Sequence, residues 1–194
     1  MKKTHRILTA VLALALCPVS YTHLDVYKRQ NMATVTNTAT SAGNSNYIGG
    51  VAGQSTGSVI NCTNSATVKG LKLGGVVGYQ NGGTTAGCMN TGDVISGEIK
   101  SATTVGGVVG QLAMGNVYHC VNAGNVRTEC QQAYDGVGSY YIGGVVGQAS
   151  GSTNAKTIFN LWNCGTVTDT QGVSQYRGDV HANADVYKRQ ALSR

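Results

Sequence analysis

A glycine-rich hexapeptide that occurs four times restricts this chain to a repeat architecture. The copies start at Ile48, Leu73, Val105 and Ile142, and each has an apolar residue, two glycines, Val, then Ala or Val, and a final Gly. Self-similarity of this kind is typical of solenoids, in which each unit buries its apolar side against the next. The sequence therefore predicts a stack of like units.

A second motif, centred on asparagine, follows each glycine motif. Cys-x-Asn begins at Cys62, Cys88 and Cys120, a fourth copy has Leu161 in the cysteine position, and a partial copy occupies Val35–Ala39. The two motifs are separated by 13, 14, 14 and 18 residues, whereas successive glycine motifs start 25, 32 and 37 residues apart. The nearly constant part predicts the wall of the stack, and most of the variable part predicts loops on one side.

Each unit is predicted to contain short strands separated by turns. The two glycines allow a corner or a close backbone approach, and Val59 and Cys62 are expected to bracket a bend. Asn64 is expected in the next turn, bonded to nearby backbone, before a third strand that starts at Thr67. Stacking such units predicts an all-β fold, a right-handed parallel β-helix of about four to five irregular coils over residues 31–184, with flexible or unstructured ends.

The four glycine motifs with their linked Asn-x-Gly-type motifs resemble the GLUG motif of bacterial surface proteins. The resemblance covers about Tyr47–Val167. GLUG-type repeats occur in adhesin-like proteins and in non-catalytic parts of metallopeptidases that cleave immunoglobulin A. The resemblance implies export, a cell-surface setting and no catalytic residues within the repeats.

The N-terminal segment Met1–Cys17 is similar to the start of a secretory signal peptide. Lys2, Lys3 and Arg6 precede the apolar stretch Ile7–Leu16. This stretch is too short for a membrane span, and no small-residue cleavage site follows, so the signal is interpreted as truncated. The segment predicts a secreted or cell-surface bacterial protein.

A perfect hexapeptide repeat, Asp25–Gln30 and Asp185–Gln190, lies in surroundings that do not otherwise match. One coding sequence for it is the reverse complement of DNA that encodes Val19–His23 in another frame. The segment resembles the transposon-end adapter of sequencing libraries. Pro18–Gln30 and Asp185–Gln190 are therefore interpreted as scars and excluded from the predicted fold, so the three remaining segments need not come from one gene.

The net charge of +6 is an end effect. The N-terminal segment contributes three charges, each hexapeptide one and Arg194 one. The remaining body is neutral, so no basic surface is expected for nucleic acid or an anionic membrane. The body's charged residues are Lys69, Lys72, Lys100, Arg127, Lys156 and Arg177 against Asp93, Glu98, Glu129, Asp135, Asp169 and Asp179.

The cysteines and histidines give little indication of chemistry. Cys62, Cys88 and Cys120 share one repeat position, which favours buried thiols, while a disulfide between adjacent coils or a metal site stays open as an alternative. Cys130 lies in an insertion and is the more reactive candidate thiol. His119 precedes a predicted buried cysteine, so it is expected to face solvent. The acidic residues are too scattered for a glycosidase pair or a calcium site.

These observations predict no enzyme, with no catalytic, cofactor-binding or metal-ligating residue. The insertion Arg127–Tyr141 is the candidate partner-binding loop, because Tyr134, Tyr140 and Tyr141 could stack on sugar rings or anchor a protein, although a loop that shields the coil edge is the alternative. A host or microbial glycan or a surface protein is the expected partner. The predicted function is an adhesive or structural stalk, and the alternative is a non-catalytic part of a larger surface enzyme.

Overall fold

The computed structural model describes residues 25–38, 46–97, 103–129, 140–150 and 156–169, and the backbone of 176–178. These residues form only short and medium-length strands, whose enrichment in valine and threonine suits a pleated wall. In chain order the strands are β1 (Val26–Tyr27), β2 (Gln30–Asn31), β3 (Val35–Thr36), β4 (Tyr47–Gly49), β5 (Ala52–Ser55), β6 (Val59–Ile60), β7 (Thr63–Asn64), β8 (Val68–Gly70), β9 (Lys72–Gly74), β10 (Val77–Ala86), β11 (Met89–Asn90), β12 (Val94–Ser96), β13 (Thr103–Gly106), β14 (Val109–Asn122), β15 (Val126–Thr128), β16 (Tyr140–Gly143), β17 (Val146–Ala149), β18 (Lys156–Asn163), β19 (Val167–Asp169) and β20 (Tyr176–Gly178).

The strands pair in parallel and form three sheets. One sheet has ten strands and contains β10, β14 and β18, and the other two have five strands each, β3-β8-β12-β15-β19 and β4-β9-β13-β16-β20. Each coil passes through all three sheets in turn, and equivalent motif positions align between coils, as Val105 does with Leu73 and Ile142. The described residues therefore form a parallel β-helix, which confirms the predicted fold class and the estimate of four to five coils.

Most of the length variation between coils falls between the strands of the two five-stranded sheets. The strands that flank it, β3 and β4, β8 and β9, β12 and β13, β15 and β16, and β19 and β20, are separated by 1 to 11 residues. The extra residues of the fourth coil fall instead between β17 and β18, within the ten-stranded sheet. The prediction that most length variation falls on one side of the stack is confirmed by these flanks.

Two apolar clusters fill the interior. The first contains the three cysteines and the valines that follow each glycine pair, such as Val76 and Val108. The second contains the residues that precede each glycine pair, such as Leu73 and Val105, with Val94 and Val126 opposite. Since each cluster repeats from coil to coil, the core consists of ladders of like side chains, and its ends are only half-buried.

A ladder of five asparagines connects the coils. The Nδ2 of Asn31 donates to the Oδ1 of Asn64 at 2.7 Å, and the same bond links Asn64 to Asn90, Asn90 to Asn122 and Asn122 to Asn163 at 2.7–2.8 Å. Each Nδ2 also donates to the backbone carbonyl two residues further along, at 2.7–2.9 Å. Asn64, Asn90 and Asn122 are fully buried, so these bonds supply the partners that buried amides need.

The asparagine ladder occupies the space that the second glycine of each pair leaves open. A Cβ placed on Gly50 would lie 2.5 Å from the Oδ1 of Asn64, and a Cβ on Gly75 would lie 2.5 Å from the Cγ of Asn90. In the chain, Gly75 falls between a residue of one apolar cluster and a residue of the other. The second glycine of each pair and the asparagine are therefore in direct contact, which accounts for the linkage of the two sequence motifs.

The first hexapeptide packs as part of the first coil. Val26 pairs with Val59 and Gln30 with Thr63, both in parallel register. Val26 is half-buried and packs against the apolar cluster that contains the cysteines. The interpretation of Pro18–Gln30 as a scar stays a prediction. The predicted signal segment 1–17, the second hexapeptide and the predicted unstructured ends lie outside the described residues.

Candidate binding surface

A left-handed residue forms the same corner in each coil of the ten-stranded sheet. The residues at this corner have φ between 49° and 60°, and they are Lys28, Asn61, Gly87, His119 and Asn160. The corner residue lies immediately before the cysteine position. Its left-handed conformation turns the chain, so that the corner residue faces solvent and the cysteine after it points into the coil. His119 is exposed, as predicted, and the left-handed corner is the local reason.

Aromatic side chains surround this corner in the last two coils of the ten-stranded sheet. Tyr118 and Phe159 are register partners, and their rings stack with centroids 4.9 Å apart and an interplanar angle of 11°. The His119 ring meets both edge-on, at 5.2 Å from Tyr118 and 5.6 Å from Phe159. The three rings form one cluster that is continuous across two coils.

Trp162 lies in the same strand as Phe159, on the other side of the corner. It is the register partner of Val121, and 55% of its surface is exposed, while Phe159 is 41% exposed. The name aromatic face is used below for Tyr118, His119, Phe159 and Trp162. Large exposed apolar groups that lie close together on a folded surface indicate an interaction site more often than scattered ones do.

Neutral polar side chains border the aromatic face. Thr84, Asn116 and Thr157 are register neighbours in three successive coils, two residues before Ala86, Tyr118 and Phe159. The Nδ2 of Asn116 donates to the Oγ1 of Thr84 at 3.4 Å. Side chains two apart on a strand share a face, so hydroxyl and amide groups line one side of the rings.

Tyr140 and Tyr141, two of the three predicted tyrosines, do not belong to this surface. Tyr134 lies outside the described residues. Tyr140 and Tyr141 lie in strand β16 rather than in a loop, and they pair with Thr103 and Thr104. Tyr140 is only 3% exposed and Tyr141 is half-buried. A partner-binding role for the three tyrosines stays a prediction.

A second aromatic cluster is satisfied within the fold. The Tyr47 and Tyr79 rings stack at 4.4 Å, and the Tyr47 hydroxyl donates to the Oε1 of Gln111 at 3.0 Å. The Lys72 Nζ lies 5.2 Å from the centroid of Tyr47. Burial lowers the pKa of Lys72 and raises the pKa of Tyr47. These contacts hold neighbouring coils together and leave little ring surface for a partner.

The three stacked cysteines are free, buried thiols. The Cys88 Sγ donates to the Val59 carbonyl of the preceding coil at 3.3 Å, and the Cys62 Sγ donates to the Ile60 carbonyl at 3.4 Å. A hydrogen bond with Cys120, together with burial, raises the pKa of Cys88 far above its usual range, and burial raises the pKa of Cys62. The predicted stacking of the cysteines inside the coil is confirmed.

Other predicted chemistry has no described counterpart. Cys130 lies outside the described residues, whereas Cys164, which the sequence analysis did not single out, is an exposed free thiol. Within the described ranges, no group of three His, Cys, Asp or Glu side chains is arranged to hold a metal ion. The same ranges contain no helix long and apolar enough to span a bilayer.

The aromatic face was not predicted from the sequence, where the candidate aromatic residues all lay in the insertion Arg127–Tyr141. The signal was present: aligning Cys120 with Leu161 also aligns Tyr118 with Phe159 and Val121 with Trp162. Residues aligned in a parallel coil stack directly, so this alignment predicts adjacent rings.

Comparison with known proteins adds one match. The model of the family described as the GLUG motif matches residues 44–69, which contain the first glycine motif and the asparagine motif that follows it. No curated protein matches the chain, and no solved structure matches it. The matched residues include β4–β7, so the family motif corresponds to most of one coil.

Proposed function

Because this chain is a GLUG-motif repeat protein folded as a parallel β-helix, we propose that it is a non-catalytic β-solenoid that serves as an adhesive or structural stalk outside a bacterial cell. The observation that carries the proposal is the continuous stack of coils in register, in which backbone, asparagine and core ladders all run along one axis. Such a body is stiff along its axis and grows by about 4.8 Å with each added coil.

The side-chain chemistry of the described surface supports a role in structure or binding. Two exposed ion pairs, Lys69–Glu129 at 2.5 Å and Arg127–Glu129 at 3.4 Å, connect side chains across three coils of one sheet. They suit a stabilising contact between coils on the outer face of that sheet. A lysine hydrogen bond lowers the pKa of Glu129, which keeps this carboxylate charged and paired. A carboxylate poised as a general acid would instead need a raised pKa.

The resemblance to GLUG-motif surface proteins supports the extracellular setting, and the signal-like segment Met1–Cys17 supports it where the native reading frame joins that segment to the repeats. The test uses the native locus, read without interruption across residues 17–31 and 184–191. Cells that express the tagged native product are treated with an external protease while their membranes stay intact. We expect rapid cleavage of the product and full protection of a cytoplasmic marker. Protection of both proteins from the protease would contradict an extracellular stalk.

The same reading frame separates the stalk from its alternative. Further glycine–asparagine repeats with an anchoring segment in the native frame support a stalk. A zinc-peptidase motif in that frame would assign the repeats to a larger surface enzyme instead.

A further inference from the structure

We propose that the aromatic face binds a neutral carbohydrate chain. This inference rests on the proposed extracellular role. It names the class of ligand that an adhesive stalk would bind. The starting observation is that Phe159, which is 41% exposed, stacks on Tyr118 of the neighbouring coil, and that Trp162, which is 55% exposed, lies three residues further along the same strand. Exposed rings of this size leave a large apolar area in water unless a ligand covers them.

The polar residues that border the aromatic face supply the hydrogen-bonding groups that a carbohydrate needs. A pyranose ring has apolar C–H faces and a rim of hydroxyl groups, so it needs an aromatic surface beside neutral donors and acceptors. The Thr84, Asn116 and Thr157 side chains lie next to Ala86, Tyr118 and Phe159 in each coil. Ligand sites commonly combine an apolar platform with a few placed polar groups of this kind.

Charge determines which carbohydrates fit. The rows that form the face and its border, Thr84–Ala86, Asn116–Val121 and Thr157–Trp162, contain no lysine, arginine, aspartate or glutamate. Recognition of a carboxylated or sulfated sugar relies on cationic donors, above all arginine. The face therefore favours a neutral sugar chain over an acidic one.

Size argues against a protein partner at the same place. A stable protein interface uses roughly 20–30 residues on each side. The aromatic face has four side chains on two coils, which lie about 4.8 Å apart along the axis. This area matches one or two sugar rings, and it is several times too small for a protein that binds through these residues alone.

The test measures binding of the full chain to an array that contains neutral and acidic oligosaccharides. Positive sugars are then titrated in solution with the intrinsic fluorescence of Trp162, the one tryptophan in the sequence. We expect neutral oligosaccharides to bind and to change the Trp162 emission. Trp162→Ala and Phe159→Ala should each weaken binding by about tenfold or more, the scale of losing one ring that stacks on a ligand.

Tyr27→Ala is the matched control. Tyr27 lies in the same sheet and is 54% exposed, but it is four coils away from Phe159 in its ladder. This substitution should leave binding unchanged, and Trp162→Phe, which keeps a ring, should retain most of it. Circular dichroism of each variant verifies that the fold is intact.

Three results would overturn the proposal: an array with no neutral sugar above background, tighter binding of acidic sugars, or equal losses for Tyr27→Ala and Trp162→Ala. An exported protein that gives any of these results keeps its role as a structural stalk and loses only this ligand. A protein retained inside the cell loses the stalk role whatever its affinity for sugars.

Discussion

The carboxamide of Asn90 occupies the position that a side chain on Gly75 would need: a Cβ built on Gly75 lies 2.5 Å from the Asn90 Cγ. The same relationship holds for Gly50 with Asn64, one coil earlier. The two sequence motifs are thus two halves of one contact, which makes this contact the most informative place for mutation.

We predict that Gly75→Ala strongly destabilises the fold. The added methyl group would overlap the Asn90 amide and the carbonyl of Gly107 in the next coil. Neither can move without disturbing the ladder, so we expect a loss of about 3 kcal/mol, at the upper end for overpacked cores. Urea denaturation followed by circular dichroism measures the effect.

Gly97→Ala is the control for this substitution. The nearest atom to a Cβ on Gly97 is the Gly70 carbonyl oxygen, at an ordinary 3.8 Å. We expect a change within about 0.5 kcal/mol, as for other unstrained surface sites. Similar losses for both variants would show that loss of glycine as such, rather than the contacts of the added methyl group with Gly107 and Asn90, is responsible.

We predict that Asn90→Ala costs about 2–4 kcal/mol. The substitution leaves the Asn64 Nδ2 without its acceptor and the Asn122 Oδ1 and the Gly92 carbonyl without their donor. Each buried group left unpaired costs about 1–3 kcal/mol. Asn31→Ala, at the half-buried end of the ladder, should cost less than half as much in the same denaturation assay. An equal cost at both positions would argue against a cooperative buried ladder.

We predict that the cysteine ladder makes the fold sensitive to alkali. Burial raises the folded-state pKa of Cys62 above its ordinary value of 9.0, and a hydrogen bond with Cys120 together with burial raises the pKa of Cys88, whereas the same hydrogen bond lowers the pKa of Cys120. The unfolded chain therefore loses the Cys62 and Cys88 protons first, and the stability that these two neutral thiols provide is complete below about pH 9 and declines above it, opposed in part by Cys120. Urea midpoints between pH 7 and pH 10 measure this decline.

The double variant Cys62→Ala and Cys88→Ala should show a shallower decline over the same interval, although its midpoint at pH 7 is lower. The difference between the two pH profiles removes the contribution of other groups, such as Tyr47, whose pKa is also raised by burial. Parallel profiles for the two proteins would contradict the assignment to the thiols.

We predict that thiol reagents distinguish two classes of described cysteine. The exposed Cys164 should be alkylated within minutes in the native protein, whereas Cys62, Cys88 and Cys120 should react only after denaturant is added, because they are fully buried and hydrogen-bonded. Peptide mass spectrometry locates the labelled residues. Rapid native labelling of Cys88 would mean that the coils open or that the stack has a different register.

Much of the wall was predictable because a parallel coil places like residues directly above one another. Repetition of Val68, Val94 and Val126 at one motif position is enough to predict a buried ladder, and all three are buried. The asparagine was harder to interpret. Asn64 was expected in a turn that tolerates left-handed geometry, but it lies buried in strand β7, and Asn61, three residues earlier, takes the left-handed conformation. Local turn statistics favour asparagine at either site, and only the stacked neighbours distinguish them.

The aromatic face was not predicted, because no single coil contains it. Tyr118 and Phe159 are 41 residues apart, and a variable insertion lies between them. Their stacking depends on the register across that insertion. The first coil also reaches Val26, in a hexapeptide that was interpreted as foreign and excluded from the predicted fold, but that pairs through its backbone and packs Val26 against the core.

All the amides of the asparagine ladder donate toward the C-terminal end. The ladder therefore has a polarity, and every internal coil offers the same acceptor to the coil before it and the same donor to the coil after it. Duplication of one coil within the gene would insert a unit whose ends already match both neighbours. Changes in copy number thus provide a simple evolutionary route to longer or shorter relatives, because an added coil repeats the core contacts that its neighbours already make.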